Sequence, residues 1–175
     1  MSNDWLSSVI AGSFTILGII LAGWFANRWQ EKRIFTKTKE NLIRETSKLM
    51  LSIGSLSDIW EDWIIADNLE DKEIESIRRK LLNSCSELKI SLDILKNKIL
   101  IQLKPNHSDI IKIDKIFDGW AKLTGLIIHN VVSTQTKDKS DISNEIRELI
   151  ENLYTIMNII MNSRRNRGFG KKRQK

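Results

Sequence analysis

Residues 5–26 run Trp-Leu-Ser-Ser-Val-Ile-Ala-Gly-Ser-Phe-Thr-Ile-Leu-Gly-Ile-Ile-Leu-Ala-Gly-Trp-Phe-Ala without a single charge, with Asp4 before them and Arg28, Lys32 and Arg33 after them. As a helix rising about 1.5 Å per residue, this stretch reaches about 33 Å, enough to cross a hydrocarbon core of about 30 Å. The expectation is an N-terminal transmembrane anchor, residues 1–27. The alternative is a buried helix of a soluble protein, a role for which an apolar run of this length is unusual.

The flanks give the anchor a direction. Arg28, Lys32, Arg33, Lys37 and Lys39 follow it, whereas no basic side chain precedes Asp4. Basic flanks stay on the cytoplasmic side, so the N-terminus is expected outside and the rest inside, as in a single-pass protein of a bacterial inner membrane. A cleaved signal peptide needs a basic segment ahead of its apolar core and a small-residue cleavage site behind it, and neither is present. Trp5 at one end, with Trp24 and Trp29 at the other, suits the two interfacial belts. Ser8, Ala11, Thr15, Gly18 and Ala22 share one helix face, and Gly18, Ala22 and Ala26 make two small-xxx-small steps. Small side chains let backbones approach closely in lipid, so self-association through Gly18 and Ala22 is expected.

Beyond the anchor the apolar spacing is helical throughout. Phe35, Leu42, Leu49 and Leu56 repeat every seven residues, and Gly54-Ser55 is expected to interrupt the helix they form. A short helix over 57–66 follows, carrying Trp60 and Trp63 and acting as a lid or elbow. From Lys72 to Leu103 the series Ile74, Ile77, Leu81, Cys85, Leu88, Leu92, Leu95, Ile99 and Leu103 keeps three-four spacing, and Lys104-Pro105-Asn106 stops it. Ser108 is the expected cap of a helix built on Ile110, Ile113, Phe117, Trp120, Thr124, Ile127 and Val131. The polar residues 133–140 read as a loop, and Asp141 as the cap of a last helix using Ile142, Ile146, Leu149, Leu153, Ile156 and Ile160. The fold class is therefore all-α: an N-terminal transmembrane helix followed by an antiparallel cytosolic helical bundle over 28–163.

Charge is unevenly distributed. The net charge is +6, yet residues 41–163 carry 16 basic and 19 acidic groups, while the tail 164–175 carries seven basic groups and no acidic one. Alternating helices return that tail to the inner leaflet, where anionic headgroups attract basic residues by about 1 kcal/mol each. Nucleic-acid binding and a disordered, solubilising end are the competing readings of such a tail.

The residues argue against an enzyme. The two histidines, His107 and His129, fit neither an HExxH helix nor the Arg-x4–6-His pattern of HEPN-type ribonucleases. Glycine-rich phosphate loops, GxSxG elbows and calcium loops are absent. A lone cysteine, Cys85, provides neither a disulfide framework nor a zinc cage, and no metal or cofactor is expected. The candidate ligand site combines Trp60 and Trp63 with Arg78, Arg79, Lys137 and Lys139, since aromatics beside cations suit stacking plus phosphate pairing. Its competitor is that the tryptophans pack into the core or a subunit contact.

An anchor followed by a small cytosolic sensor-like domain resembles in layout the membrane effectors of prokaryotic antiphage (antiviral) defence, including the type III CRISPR effectors that respond to cyclic oligoadenylate. The resemblance implies a non-enzymatic, ligand-gated homo-oligomer, such as a tetramer, whose cytosolic domain senses a cyclic oligonucleotide or a protein signal and which perturbs the bilayer. The rival expectation is a membrane-tethered adaptor holding a protein partner through its bundle.

Overall fold

A computed structural model describes residues 4–66, 70–133 and 139–163, with side chains over 13–66, 70–133 and 141–163. The described residues form four α-helices and no strand: α1 (Asp4–Ile65), α2 (Asp71–Leu103), α3 (His107–Ser133) and α4 (Lys139–Asn162). The chain divides into two units, residues 1–38 and residues 39–175. α1 contributes to both.

The second unit is the helical bundle, and its core follows the spacing of the apolar residues. Leu42, Leu49, Ile53, Leu56 and Trp60 of α1 are buried, as are Leu81, Cys85, Leu88, Leu92, Leu95, Ile99 and Leu103 of α2. α3 buries Ile113, Ile116, Phe117, Trp120, Leu123, Ile127 and Val131, and α4 buries Ile142, Ile146, Leu149, Leu153, Ile156 and Ile160. Burying each large aliphatic side chain is worth about 1.5–3 kcal/mol.

Three cross-links fix the order and direction of the helices. Lys98 of α2 donates to both carboxylate oxygens of Glu45 on α1, at 2.8 and 3.0 Å. Lys96 pairs with Asp114 of α3 at 2.8 Å, and Lys39 at the start of the unit donates to the Met161 carbonyl of α4 at 2.8 Å. The bundle part of α1, from Lys39 on, therefore starts beside late α2 and late α4, and late α2 lies beside early α3. This is up-down-up-down connectivity, with the chain leaving the bundle at the end where it enters.

Several local expectations are corrected. α1 runs through Gly54 and Ser55 without a break, so no separate lid helix exists over 57–66. An interior glycine costs only about 1 kcal/mol, and Ile53 and Leu56, both wholly buried on either side of it, outweigh that cost. The cap of α3 is Asn106 rather than Ser108: its side-chain oxygen accepts from the Asp109 amide at 2.8 Å. Asp141 lies inside the first turn of α4, where its charge complements the helix dipole. α2 ends at Lys104, whose φ of 47° is the left-handed conformation that stops a helix, followed by Pro105.

In the first unit, α1 exposes Phe14, Ile16, Leu17, Ile19, Ile20, Leu21, Trp24 and Phe25. Among the described residues no helix is long and apolar enough to cross a membrane. The side chains of 5–12, including Trp5, Ser8 and Ala11, lie outside the described residues, as does the basic tail 164–175.

Candidate functional site

Four of the six side chains expected to bind a ligand are described. Trp60 is 0% exposed, because heptad spacing from Ile53 turns it to the same core face. No face of its indole is open to a ligand. Trp63, one turn later, is half-buried. Arg78 and Arg79 lie in the first half of α2, across the α1–α2 connection from the tryptophans. Both are tied to Glu75 of their own helix, Arg79 Nε at 3.1 Å and Arg78 Nη1 at 3.7 Å. Lys137 and the side chain of Lys139 lie outside the described residues.

Arg79 borders an open surface depression of about 530 Å³, lined by Asp71, Lys72, Glu75, Ser76, Lys80 and Asn83. All of these come from one helix, and two carboxylates stand among three cations. Such a mixture produces little net field for drawing in a polyanion.

Among the described residues no group of three or more His, Cys, Asp or Glu side chains converges on a point. His107 and His129 are both exposed. Cys85 is buried in the core of α2, and desolvation pushes its thiol up to about 11, the opposite of an activated nucleophile. Buried Thr46 and Thr124 return their hydroxyls to the carbonyls of Leu42 and Trp120, each at 2.8 Å, so they serve their own helices. The Trp120 indole N–H is buried without a hydrogen-bond partner among the described residues.

The membrane set is arranged differently. Trp24 and Phe25 meet edge to face at 5.0 Å, and the Arg28 guanidinium sits 4.9 Å from the Trp24 ring. Trp24 and Trp29 are both more than half exposed. Ala22 is exposed, and a Cβ built on Gly18 would meet nothing within 4 Å. That face is open to close approach.

One feature escaped the sequence reading. α2 exposes Ile90, Ile94 and Ile101 on the side opposite its core stripe. Spaced four and seven apart, they repeat at helical intervals as the core residues do, so periodicity alone gives no way to separate the two faces.

No protein-family model, curated protein or solved structure matches the chain.

Proposed function

We propose that the chain is a single-pass inner-membrane protein, N-terminus outside, acting as a non-enzymatic oligomeric effector of antiphage defence whose bundle receives a signal and whose anchor perturbs the bilayer. The observation that carries the reading is the surface of α1 over 14–25. Eight large apolar side chains there are between 50% and 71% exposed. At about 100° per residue they leave one sector roughly 120° wide, and Thr15, Gly18, Ala22 and Ala26 fill it. Exposing such a surface to water forfeits about 1.5–3 kcal/mol per residue, whereas lipid accepts the bulky sectors and a neighbouring helix accepts the small one. The uncharged sequence continues upstream to Trp5, giving the run the length of a span.

In this reading Arg28, Lys32, Arg33 and Lys37 meet the inner leaflet, and the Lys39–Met161 contact sets the end of α4 beside the start of the bundle. The tail then holds anionic lipid. The signal, a protein or a cyclic oligonucleotide, is received by the bundle, Trp63, Arg78 and Arg79 being the described members of the candidate site with some exposure.

The test is expression of the full chain and of a form lacking residues 1–27 while membrane potential is followed with a voltage-sensitive dye. Depolarisation and growth arrest by the full chain alone is the expected result. Equal tolerance of both forms, with a stoichiometric protein partner recovered from the membrane, would sink the effector reading in favour of an adaptor.

A further inference from the structure

The flank of the apolar run carries one pattern twice. Trp24, Arg28 and Lys32 stand four residues apart, and five residues further on Trp29, Arg33 and Lys37 repeat the set. α1 is continuous through both. Residues four apart on a helix are turned by about 40° and set about 6 Å further along its axis, so each set makes a ridge of ring, guanidinium and ammonium in that order. The two ridges lie about 140° apart and are staggered by about 7.5 Å. Among the described residues only the first is assembled: the Arg28 guanidinium sits over the Trp24 ring at 4.9 Å, and Phe25 braces that ring edge to face at 5.0 Å. A cation seated over a ring keeps its N–H groups for acceptors elsewhere. Arg28 and Lys32 are exposed and make no ion pair among the described residues, while the neighbouring carboxylate residue, Glu31, is half-buried.

We propose that the ridge of Trp24, Arg28 and Lys32 binds the headgroup of one anionic phospholipid, with Arg28 and Lys32 sharing its phosphate and Trp24 meeting its glycerol and upper acyl chain. This rests on the anchoring reading and adds to it a lipid class and a depth. The headgroup layer on each side of a bilayer is about 5–7.5 Å thick. The uncharged sequence ends at Asn27, so Trp24 reaches the hydrocarbon edge while Arg28 and Lys32, about 6 Å apart along the axis, span the phosphate layer. Arg33 and Lys37 then stand on the water side of that layer, where salt screens their attraction. The planar fork of an arginine pairs two phosphate oxygens at once, and stacking on Trp24 holds that fork in place before a lipid arrives. A zwitterionic lipid fits less well, because its ammonium group is brought against Lys32.

Native mass spectrometry of the full-length chain in detergent, titrated with phosphatidylglycerol or with phosphatidylcholine of the same acyl chains, tests the site. Phosphatidylglycerol should bind each chain about fivefold or more tighter than phosphatidylcholine. Arg28→Gln should weaken it about fivefold, the worth of one basic residue at a membrane surface. Trp24→Leu, which keeps every charge, should weaken it about two- to fivefold by freeing the guanidinium. Arg33→Gln removes the same charge from the second ridge and should leave binding nearly unchanged. All three positions are exposed, and equal helicity by circular dichroism reports that the variants are folded. Equal binding of the two lipids overturns the proposal. So does an equal loss from Arg28→Gln and Arg33→Gln, which is attraction by overall charge. Displacement of the lipid by glycerol 3-phosphate at millimolar concentration would make the ligand a soluble phosphate ester, and overturns the lipid assignment. Carbonate extraction of native membranes reports anchoring separately: release of the chain counts against the anchor, while the lipid titration still decides the ridge.

Discussion

Replacing Trp60 with alanine separates a core tryptophan from a ligand platform. The side chain is 0% exposed, and a buried tryptophan removes about 150–250 Å² from water. At about 25 cal/mol per Å² that corresponds to roughly 4–6 kcal/mol. Partial burial in the unfolded chain trims the figure, in keeping with the 3–5 kcal/mol typical of Trp→Ala substitutions in cores. For a bundle of this size 1 kcal/mol moves Tm by about 4 °C, so Trp60→Ala should lower Tm by about 12–20 °C. Circular dichroism at 222 nm on full-length protein in a mild detergent reads the shift. Trp63→Ala, which empties a half-buried position, should cost less than half as much. A Trp60→Ala protein melting within 3 °C of the parent, or no lower than Trp63→Ala, would refute the placement of this ring in the core.

Two further outcomes follow from single positions. Gly54→Ala should raise stability by about 0.5–1 kcal/mol in the same melts, because α1 is continuous there and the added Cβ meets nothing within 4 Å; a loss instead would mean that the helix is interrupted at Gly54. Cys85 ionises near 9 when exposed and near 11 in the core, so its contribution is complete below pH 9 and is lost as pH rises toward 11, where the unfolded thiol has already given up its proton. That loss, on the order of 2 kcal/mol, should appear in urea titrations of the parent and be absent from Cys85→Ala; equal pH slopes for the two proteins would exclude it.

Much of the bundle was legible because each helix keeps one uninterrupted three-four stripe. The series from Leu81 to Leu103 is buried without exception, and so are Ile142, Ile146, Leu149, Leu153, Ile156 and Ile160. The misread points are places where tertiary burial overrides local preference. Gly54-Ser55 looks like a break, yet the buried neighbours Ile53 and Leu56 carry the helix through it. Ser108 and Asn106 both suit a cap, and only the position at which Lys104 leaves the preceding helix decides in favour of Asn106. For the candidate ligand residues, sequence supplied residue types but not sides. Trp60 and Trp63 look equivalent as a pair three apart, although one turns to the core and the other to its edge. The orphaned indole N–H of Trp120 has no sequence signature, and the outward isoleucines of α2 share the helical spacing of the core.

The contact between Lys39 and the Met161 carbonyl bears on how the bundle responds to force. Because the chain enters and leaves at one end, tension between those points peels α1 away from α4 as a zipper opens, one layer at a time. A bundle loaded along opposite ends must instead shear all its layers together. Tension applied between Lys39 and Ser163 therefore meets the mechanically softest direction of the bundle, and its first casualty is the Lys39–Met161 hydrogen bond.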